Sequence, residues 1–163
     1  MKAALLLFLT FSLFSCHHRP VLKSGLEGTI IPTFDLLLTD SMTHFSTAKI
    51  TGGRPTVFFF FSPECPYCRA QMQDLIDNSK ELKGIHFILV TEFPFKEMIA
   101  FYTHYKLNQY LNITLGEDYS GFFSEYFKTT QVPFLALYNK ERRLNQVNLG
   151  KMYSQEIKTI AFE

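Results

Sequence analysis

The sequence has almost no excess of charge of either sign. Its 163 residues include 16 lysines and arginines against 15 aspartates and glutamates, which gives a net charge of +1. Because these charges are scattered rather than clustered, the composition argues against a nucleic-acid partner. Internal repeats, low-complexity tracts and a second domain are also lacking. What is there, 47% hydrophobic and 16% aromatic residues without tryptophan, suits one globular domain with its own core.

A hydrophobic run long enough to cross a membrane is lacking as well. Residues 3–14 are apolar and follow the positive charge of Lys2, but such a helix needs ~20 residues. The run ends in Leu-Phe-Ser-Cys, which resembles the lipobox of bacterial lipoproteins, where the cysteine becomes the lipidated first residue. We therefore predict a signal peptide over residues 1–15, lipid attachment at Cys16 and a tether over residues 16–27. A plain secretory signal and an uncleaved anchor are the alternatives.

Export has a consequence for the remaining thiols. We expect a membrane-anchored lipoprotein of the bacterial cell envelope, exposed outside the cytoplasm and on the periplasmic side if the cell is Gram-negative. Disulfides can persist in that compartment. With Cys16 lipidated, only two of the three cysteines remain as thiols, and they form an even pair.

The two remaining cysteines lie in the segment Cys-Pro-Tyr-Cys at residues 65–68. They follow the apolar run of residues 57–61, which predicts a central strand covered on both faces. After them the period changes, because Cys68, Met72 and Leu75 share one helical face. We therefore predict a helix that begins at the cysteines, with Pro66 in its first turn.

This position predicts redox chemistry. Cys65 lies at the helix N-terminus, where free N–H groups and the helix dipole favour a thiolate that can attack a disulfide. Cys68, one turn later on the apolar face, is expected to be shielded. Cys65 is thus the predicted nucleophile and Cys68 the predicted resolving thiol. Glu64 and Arg69 act on the thiolate with opposite signs, and the sequence leaves their balance open.

Other uses of the cysteine pair are less well supported. A zinc site normally needs four ligands. There is no second Cys-x-x-Cys, and His44, His86 and His104 are dispersed, so no metal is expected. A purely structural disulfide would close too small a loop to stabilise the fold much. Tyr67, forced outward between the cysteines, is expected to contribute to an apolar docking surface.

The rest of the chain alternates strands and helices. An extended stretch that begins near Ile30 is followed by a hairpin turn over residues 39–44. Further strands are predicted at residues 85–90, 112–115, 132–138 and 144–149, and helices at residues 95–105, 120–127 and 154–162, with Ser120 a candidate cap. This order predicts a mixed sheet with helices on its faces.

Three segments carry a family resemblance: GTIIPTFDLLLTD, GGRPTVFFFFSPECPYCRAQM and DYSGFFSEYFKTTQVPFLALYNKERRL. They resemble the thioredoxin superfamily, in particular the TlpA-type membrane-anchored thiol–disulfide oxidoreductases and related redoxin-domain lipoproteins. The resemblance implies a thioredoxin-like α/β domain over residues 28–163, a mixed central sheet flanked by helices, with an N-terminal β-hairpin extension. It also implies that Pro133 is a cis-proline beside the disulfide and that the backbone of Val132 binds substrate. Pro66 and Tyr67, between the cysteines, are expected to bind substrate as well. The alternative for Pro133 is that it merely starts a strand.

The departures from the resemblance concern acids. Gln71 stands where many TlpA-type proteins have a glutamate that handles protons, and Phe59 replaces the buried acid of thioredoxins. Attack by Cys68 is therefore expected to be slow, or to use water or another acid. The Gly-Gly pair of glutaredoxins is absent, which argues against glutathione dependence. Ser62 matches the peroxiredoxin pattern, but Phe58 replaces its proline, which argues against a peroxidase.

The expected function is an envelope thiol–disulfide oxidoreductase that reduces disulfides of exported proteins. Its expected partners are disulfide-containing envelope proteins, a membrane thiol electron donor and, through the lipid, the membrane. No cofactor is expected, since the cysteines carry the electrons. The alternative, motivated by the missing acids, is a non-catalytic redoxin-like binding lipoprotein or a carrier of copper or another thiol-bound metal.

Overall fold

The computed structural model describes residues 22–163. The predicted signal peptide, the lipid attachment at Cys16 and the first part of the tether lie outside these residues. The described chain forms the following elements in order: β1 (Asp35–Leu38), β2 (His44–Ser46), β3 (Thr56–Phe60), α1 (Pro66–Asp77), β4 (His86–Thr91), α2 (Phe95–His104), β5 (Ile113–Glu117), α3 (Phe122–Phe127), β6 (Phe134–Tyr138), β7 (Leu144–Leu149) and α4 (Ser154–Ala161).

The strands form one mixed sheet in the order β2-β1-β5-β4-β3-β6-β7. The pairs β3–β4 and β4–β5 are parallel, and the remaining pairs are antiparallel. The chain therefore has the thioredoxin-like α/β fold that the sequence predicted. Because β3, β4 and β5 run in the same direction, the loops that leave their carboxyl ends meet at one edge of the sheet, and the cysteines lie there.

Strand β3 passes through the middle of the core. All five of its residues are buried, which confirms the prediction of a strand covered on both faces. Val57 and Phe59 contribute to a cluster that includes residues of α1, α2 and α4. Phe58 and Phe60 contribute to a second cluster with α3 and the N-terminal segment. Because successive side chains of a strand point to opposite faces, one phenylalanine run supplies both cores.

The predicted N-terminal hairpin is present and extends the sheet. Strands β1 and β2 pair with each other, and β1 also pairs with β5 through Leu38 opposite Gly116. Asp40 shapes the turn, because its Oδ1 accepts hydrogen bonds from the N–H groups of Met42 at 3.0 Å and Thr43 at 2.8 Å. The turn that the sequence predicted over residues 39–44 therefore joins β1 to β2, and the Asp40 side chain is what forms it.

Several element boundaries differ from the prediction by one or two residues, and two of them have a clear physical reason. Helix α3 begins at Phe122, and Gly121 rather than Ser120 occupies its N-cap, with φ of 71°. Asp118 satisfies this end of the helix, since its Oδ2 accepts from the N–H of Phe123 at 2.7 Å. Strand β6 begins at Phe134 rather than at residue 132, because Pro133 has no N–H to offer a ladder.

No helix among residues 22–163 has the length and apolar character needed to span a membrane.

Candidate active site

The end of β3 delivers the first cysteine to the start of a helix. Cys65 is the N-cap residue of α1 and Pro66 its first residue, as predicted. The Cys65 carbonyl accepts from the N–H of Arg69 at 3.0 Å, which begins the helical ladder. The Cys65 side chain caps no helix N–H group. Its sulfur therefore lies at the positive end of the helix dipole and is half-buried.

The second cysteine has a different environment. Cys68 is fully buried among the side chains that join α1 to the sheet, whereas Cys65 is only partly covered. Both are free thiols. Burial raises the pKa of the Cys68 thiol strongly, the neighbouring Cys65 side chain raises it further, and a hydrogen bond with the backbone of Ser62 opposes both effects. Cys68 is therefore a protonated thiol at neutral pH.

The Val132–Pro133 peptide lies beside Cys65. It is cis, and Pro133 is buried while Val132 is half-buried. The Val132 carbonyl lies 3.8 Å from the Cys65 sulfur and accepts a hydrogen bond from the thiol. The Pro133 carbonyl accepts from the N–H of Gly150 at 2.8 Å. The structure thus brings together residues that are 67 positions apart in the sequence.

The outer surface of the site carries one ion pair and one exposed ring. Glu64 and Arg69 face each other at 3.2 Å, both largely exposed, and Arg69 Nε donates to the Pro63 carbonyl at 2.8 Å. The sequence left open how the opposite charges of Glu64 and Arg69 balance beside Cys65, and in the structure these two charges form an ion pair with each other. Tyr67 is 68% exposed and points outward next to Pro66, as predicted. Pro66 is exposed as well, so both residues between the cysteines face outward.

The two positions that lack the usual acids are both fully buried. Phe59 packs against Phe61 in the core. Gln71 pairs with the backbone of Met152: its Nε2 donates to the carbonyl at 2.9 Å, and its Oε1 accepts from the N–H at 2.7 Å. Sequence reasoning registered Gln71 as a missing acid and overlooked this pairing. The available signal was its spacing, since a residue three positions after Cys68 shares the buried face of the helix.

The histidines of the described domain lie apart from one another. His86 Nε2 is 3.1 Å from the hydroxyl of Thr114, and His44 and His104 pack against separate tyrosines. Among residues 22–163, no three His, Cys, Asp or Glu side chains are grouped closely enough to hold a metal ion.

Comparison with proteins of known structure identifies the fold. A secreted disulfide oxidoreductase of Mycobacterium tuberculosis is 19% identical, with 78% of this chain and 91% of that chain covered and a TM-score of 0.62. An exposed lipoprotein thioredoxin of Streptococcus pneumoniae is 23% identical, with coverages of 79% and 98% and a TM-score of 0.61. Peroxidoxin BcpB of M. tuberculosis is 14% identical, with coverages of 82% and 95% and a TM-score of 0.66. At these identities the likeness shows a shared fold.

The family follows from the sequence itself. No curated protein matches the chain. The AhpC/TSA family model matches residues 28–146, a segment that contains both cysteines and the cis peptide. Redoxins of this kind are generally thiol oxidoreductases or peroxidases. Because the match covers well over half of its length, this thioredoxin-like chain belongs to the AhpC/TSA family.

Proposed function

We propose that this protein is a TlpA-type thiol–disulfide oxidoreductase that reduces disulfides of exported proteins. The observation that carries the proposal is the asymmetry of two free thiols one helical turn apart. Cys65 is reachable at the N-cap of α1, whereas Cys68 is fully buried. A nucleophile must be reachable, and a resolving thiol is better kept away from competing attack.

In the first step, the Cys65 thiolate attacks one sulfur of a substrate disulfide. A bond forms between Cys65 and that sulfur, the substrate S–S bond breaks, and the other substrate sulfur leaves as a thiolate. An extended substrate segment beside the Val132–Pro133 peptide could pair with the backbone of Val132, as an added strand does. Pro66 and Tyr67 would contact the same segment, since both are exposed next to Cys65.

In the second step, Cys68 attacks the Cys65 sulfur of the mixed disulfide. The Cys65–Cys68 disulfide forms, the second substrate sulfur leaves, and two electrons have passed from the protein to the substrate. The protons of the two cysteines end on the two substrate thiols. Cys68 must lose its proton first, and burial raises its pKa. Since residues 59 and 71 are not ionisable, we expect this step to limit turnover and to accelerate with pH.

The proposal includes a place and partners. A lipid on Cys16 would tether the domain to the membrane, with the domain exposed outside the cytoplasm. Its substrates there would be disulfide-containing envelope proteins. A membrane thiol donor would restore the dithiol. Similarity to a secreted disulfide oxidoreductase and to an exposed lipoprotein thioredoxin supports this setting.

Insulin-disulfide reduction tests the function. The parent is the full chain carrying Cys16→Ser, which leaves the pair as its only thiols and controls for the Cys-to-Ser exchange itself. We expect Cys65→Ser in this parent to abolish reduction, and Cys68→Ser to accumulate a mixed disulfide that a non-reducing gel displays. Full activity of Cys65→Ser would sink the assignment.

A peroxidase is the second candidate, because the AhpC/TSA family and a peroxidoxin neighbour both raise it. Ser62, three residues before Cys65, accepts from the N–H of Glu64 at 3.3 Å. In that reaction Cys65 would break the O–O bond of a peroxide, release an alcohol or water and become a sulfenic acid. Cys68 would then form the disulfide and release water. Consumption of hydrogen peroxide by the reduced parent, compared with insulin reduction, separates the two.

The third reading is a copper or thiol-metal carrier that uses the same two sulfurs, since soft thiolates select Cu(I). The reduced parent, loaded with Cu(I) and challenged with a competing chelator, would retain one equivalent if it is a carrier. We expect it to lose the metal.

A further inference from the structure

Gln71 joins the cysteine-bearing helix to the loop that follows β7. Its side chain is fully buried and makes two hydrogen bonds to the backbone of Met152, one as donor and one as acceptor. A neutral group with both a donor and an acceptor satisfies both backbone atoms, and an amide is such a group. A carboxylate accepts without donating, and a leucine does neither.

The loop held by Gln71 is hydrogen-bonded to the cis peptide. Gly150, two residues before Met152, donates its N–H to the Pro133 carbonyl at 2.8 Å. Val132, the other half of the cis pair, presents its carbonyl 3.8 Å from the Cys65 sulfur. Because Cys65 is the N-cap of the helix that carries Gln71, these contacts close a circuit. The circuit runs from α1 through the loop and the cis peptide back to the nucleophile.

We propose that Gln71 is a positioning residue that fixes the Cys65–Cys68 pair against the Val132–Pro133 peptide through this circuit, and that it takes no proton from Cys68. The inference rests on the proposed redox function and adds the residue that maintains its geometry. Attack of Cys68 on Cys65 requires alignment of the sulfurs, and a shift of about 1 Å can slow a positioned reaction roughly a hundredfold. The resolving step is therefore the step that depends on the circuit.

A neighbouring polar contact joins α1 to the same loop and to the start of α4. Asp74, one turn after Gln71, accepts from the N–H of Ser154 at 2.8 Å and lies 3.8 Å from Lys151 Nζ. This contact holds the first turn of α4. Asp74 on the same helix and Lys151, next to Met152 on the loop, are thus titratable groups beside this contact, and Cys68 shares the buried face of α1 with Gln71.

The Gln71→Glu variant turns the hydrogen-bond requirement into a measurable pH dependence. A protonated carboxyl group has one donor and one acceptor and can replace the amide. An ionised carboxylate loses the donor and faces the Met152 carbonyl, which destabilises the ionised form. The circuit should thus be intact at low pH and broken at high pH in the same molecule.

The experiment follows both sulfur steps with an aromatic disulfide whose released thiolate is coloured. In the full chain with Cys16→Ser, the first release reports attack by Cys65 and the second reports resolution by Cys68. Gln71→Glu and Gln71→Leu are compared with this parent between about pH 5 and about pH 9. The matched control is Gln73→Glu, the same exchange on the same helix at an exposed position that bonds only Asp77.

We expect the second-phase rate of Gln71→Glu, divided by that of the parent, to fall about tenfold as pH rises. Gln71→Leu should be slower by about tenfold at every pH, with the first phase changed less than about twofold. Gln73→Glu should follow the parent. A ratio for Gln71→Glu that stays flat or rises with pH would overturn the proposal, and a rise would mark the position as a proton acceptor.

The same assay separates this proposal from the function on which it rests. If the parent and Cys65→Ser release the coloured thiolate equally, the redox function fails. If the first phase requires Cys65 but the second-phase rate is the same in the parent and in the Gln71 variants, only the positioning role fails. Should Gln71→Leu not fold, the Gln71→Glu variant decides alone, because its rate relative to the parent is followed across the pH range and needs no second variant.

Discussion

At the scale of single residues, burial decides which groups carry charge. Cys65 and Cys68 have the same chemistry and lie one turn apart, yet only Cys68 is fully buried, and burial raises its pKa. Burial lowers the pKa of a histidine instead, because it penalises the charged form in both cases and the charged form of a histidine is the protonated one. His86, where β4 begins, is such a case: burial and the charge of Arg54 lower its pKa to about 4.

His86 therefore predicts a loss of stability in mild acid. The unfolded chain binds a proton at this histidine below its ordinary pKa of 6.5, whereas the folded chain does not until about pH 4. The free energy of unfolding should fall by about 1–2 kcal/mol across that window, with allowance for the partial exposure of the ring. Urea unfolding at several pH values measures it.

Two exchanges test the source of that loss. His86→Gln keeps a hydrogen-bonding group opposite Thr114 and should flatten the pH dependence. His104→Gln, an exposed position on α2, should leave it unchanged. Equal pH profiles for His86→Gln and the parent would show that another group causes the loss.

At the scale of elements, the N-terminal hairpin joins the rest of the sheet at a glycine, which has no side chain to hold the strands apart. Gly116 of β5 lies against β1, and a Cβ atom there would be 2.7 Å from the Leu36 Cβ and 3.2 Å from the Leu37 carbonyl oxygen. Contacts this short force backbone movement, because neither neighbour is the end of a flexible side chain. The close approach of β1 to β5 therefore depends on glycine at this position.

Gly116→Ala should accordingly destabilise the protein by about 1–3 kcal/mol. The matched control is Gly84→Ala, whose Cβ would meet only the tip of the exposed Phe162 ring at 3.2 Å, and that ring can move. Urea unfolding midpoints compare the two. If both variants unfold at the same urea concentration, the tight contact between β1 and β5 carries no stability.

At the scale of the whole molecule, the fold creates the proposed redox site by bringing three distant segments to one edge of the sheet. The turn after β3 supplies Cys65, the cis peptide before β6 supplies the facing carbonyl, and the loop after β7 ties both to α1. Within residues 22–163, Arg69, the cation that could stabilise a Cys65 thiolate, is paired with Glu64 at 3.2 Å, and burial opposes a Cys68 thiolate. A strongly oxidising couple owes its potential to a stabilised reduced form, as in DsbA.

We therefore expect a reducing couple, with a potential near the roughly −270 mV of thioredoxin. Equilibration of the full chain carrying Cys16→Ser against glutathione or dithiothreitol buffers gives this value, and Cys68→Ser is the control that forms no internal disulfide. A potential near the roughly −120 mV of DsbA would instead indicate an oxidant. Failure to form any reversible disulfide would contradict the redox function itself.

The sequence by itself determined the features that depend on neighbouring residues. The phenylalanine run of β3 predicted a strand buried on both faces, and the change of period after it located the start of α1 at the cysteines. From that start followed the different burial of Cys65 and Cys68. Periodicity and hydrophobicity act over a few residues, so a single sequence carries them in full.

Only the tertiary structure decided the contacts between distant segments. Gln71 and Met152 are 81 residues apart, and their pairing depends on how the chain returns after β7. The sequence presented Gln71 as a missing acid, whereas the fold makes it the amide that joins α1 to the loop after β7, which in turn contacts the cis peptide. A buried polar side chain takes its role from the backbone atoms that the fold places opposite it, and those atoms are set by topology rather than by local pattern.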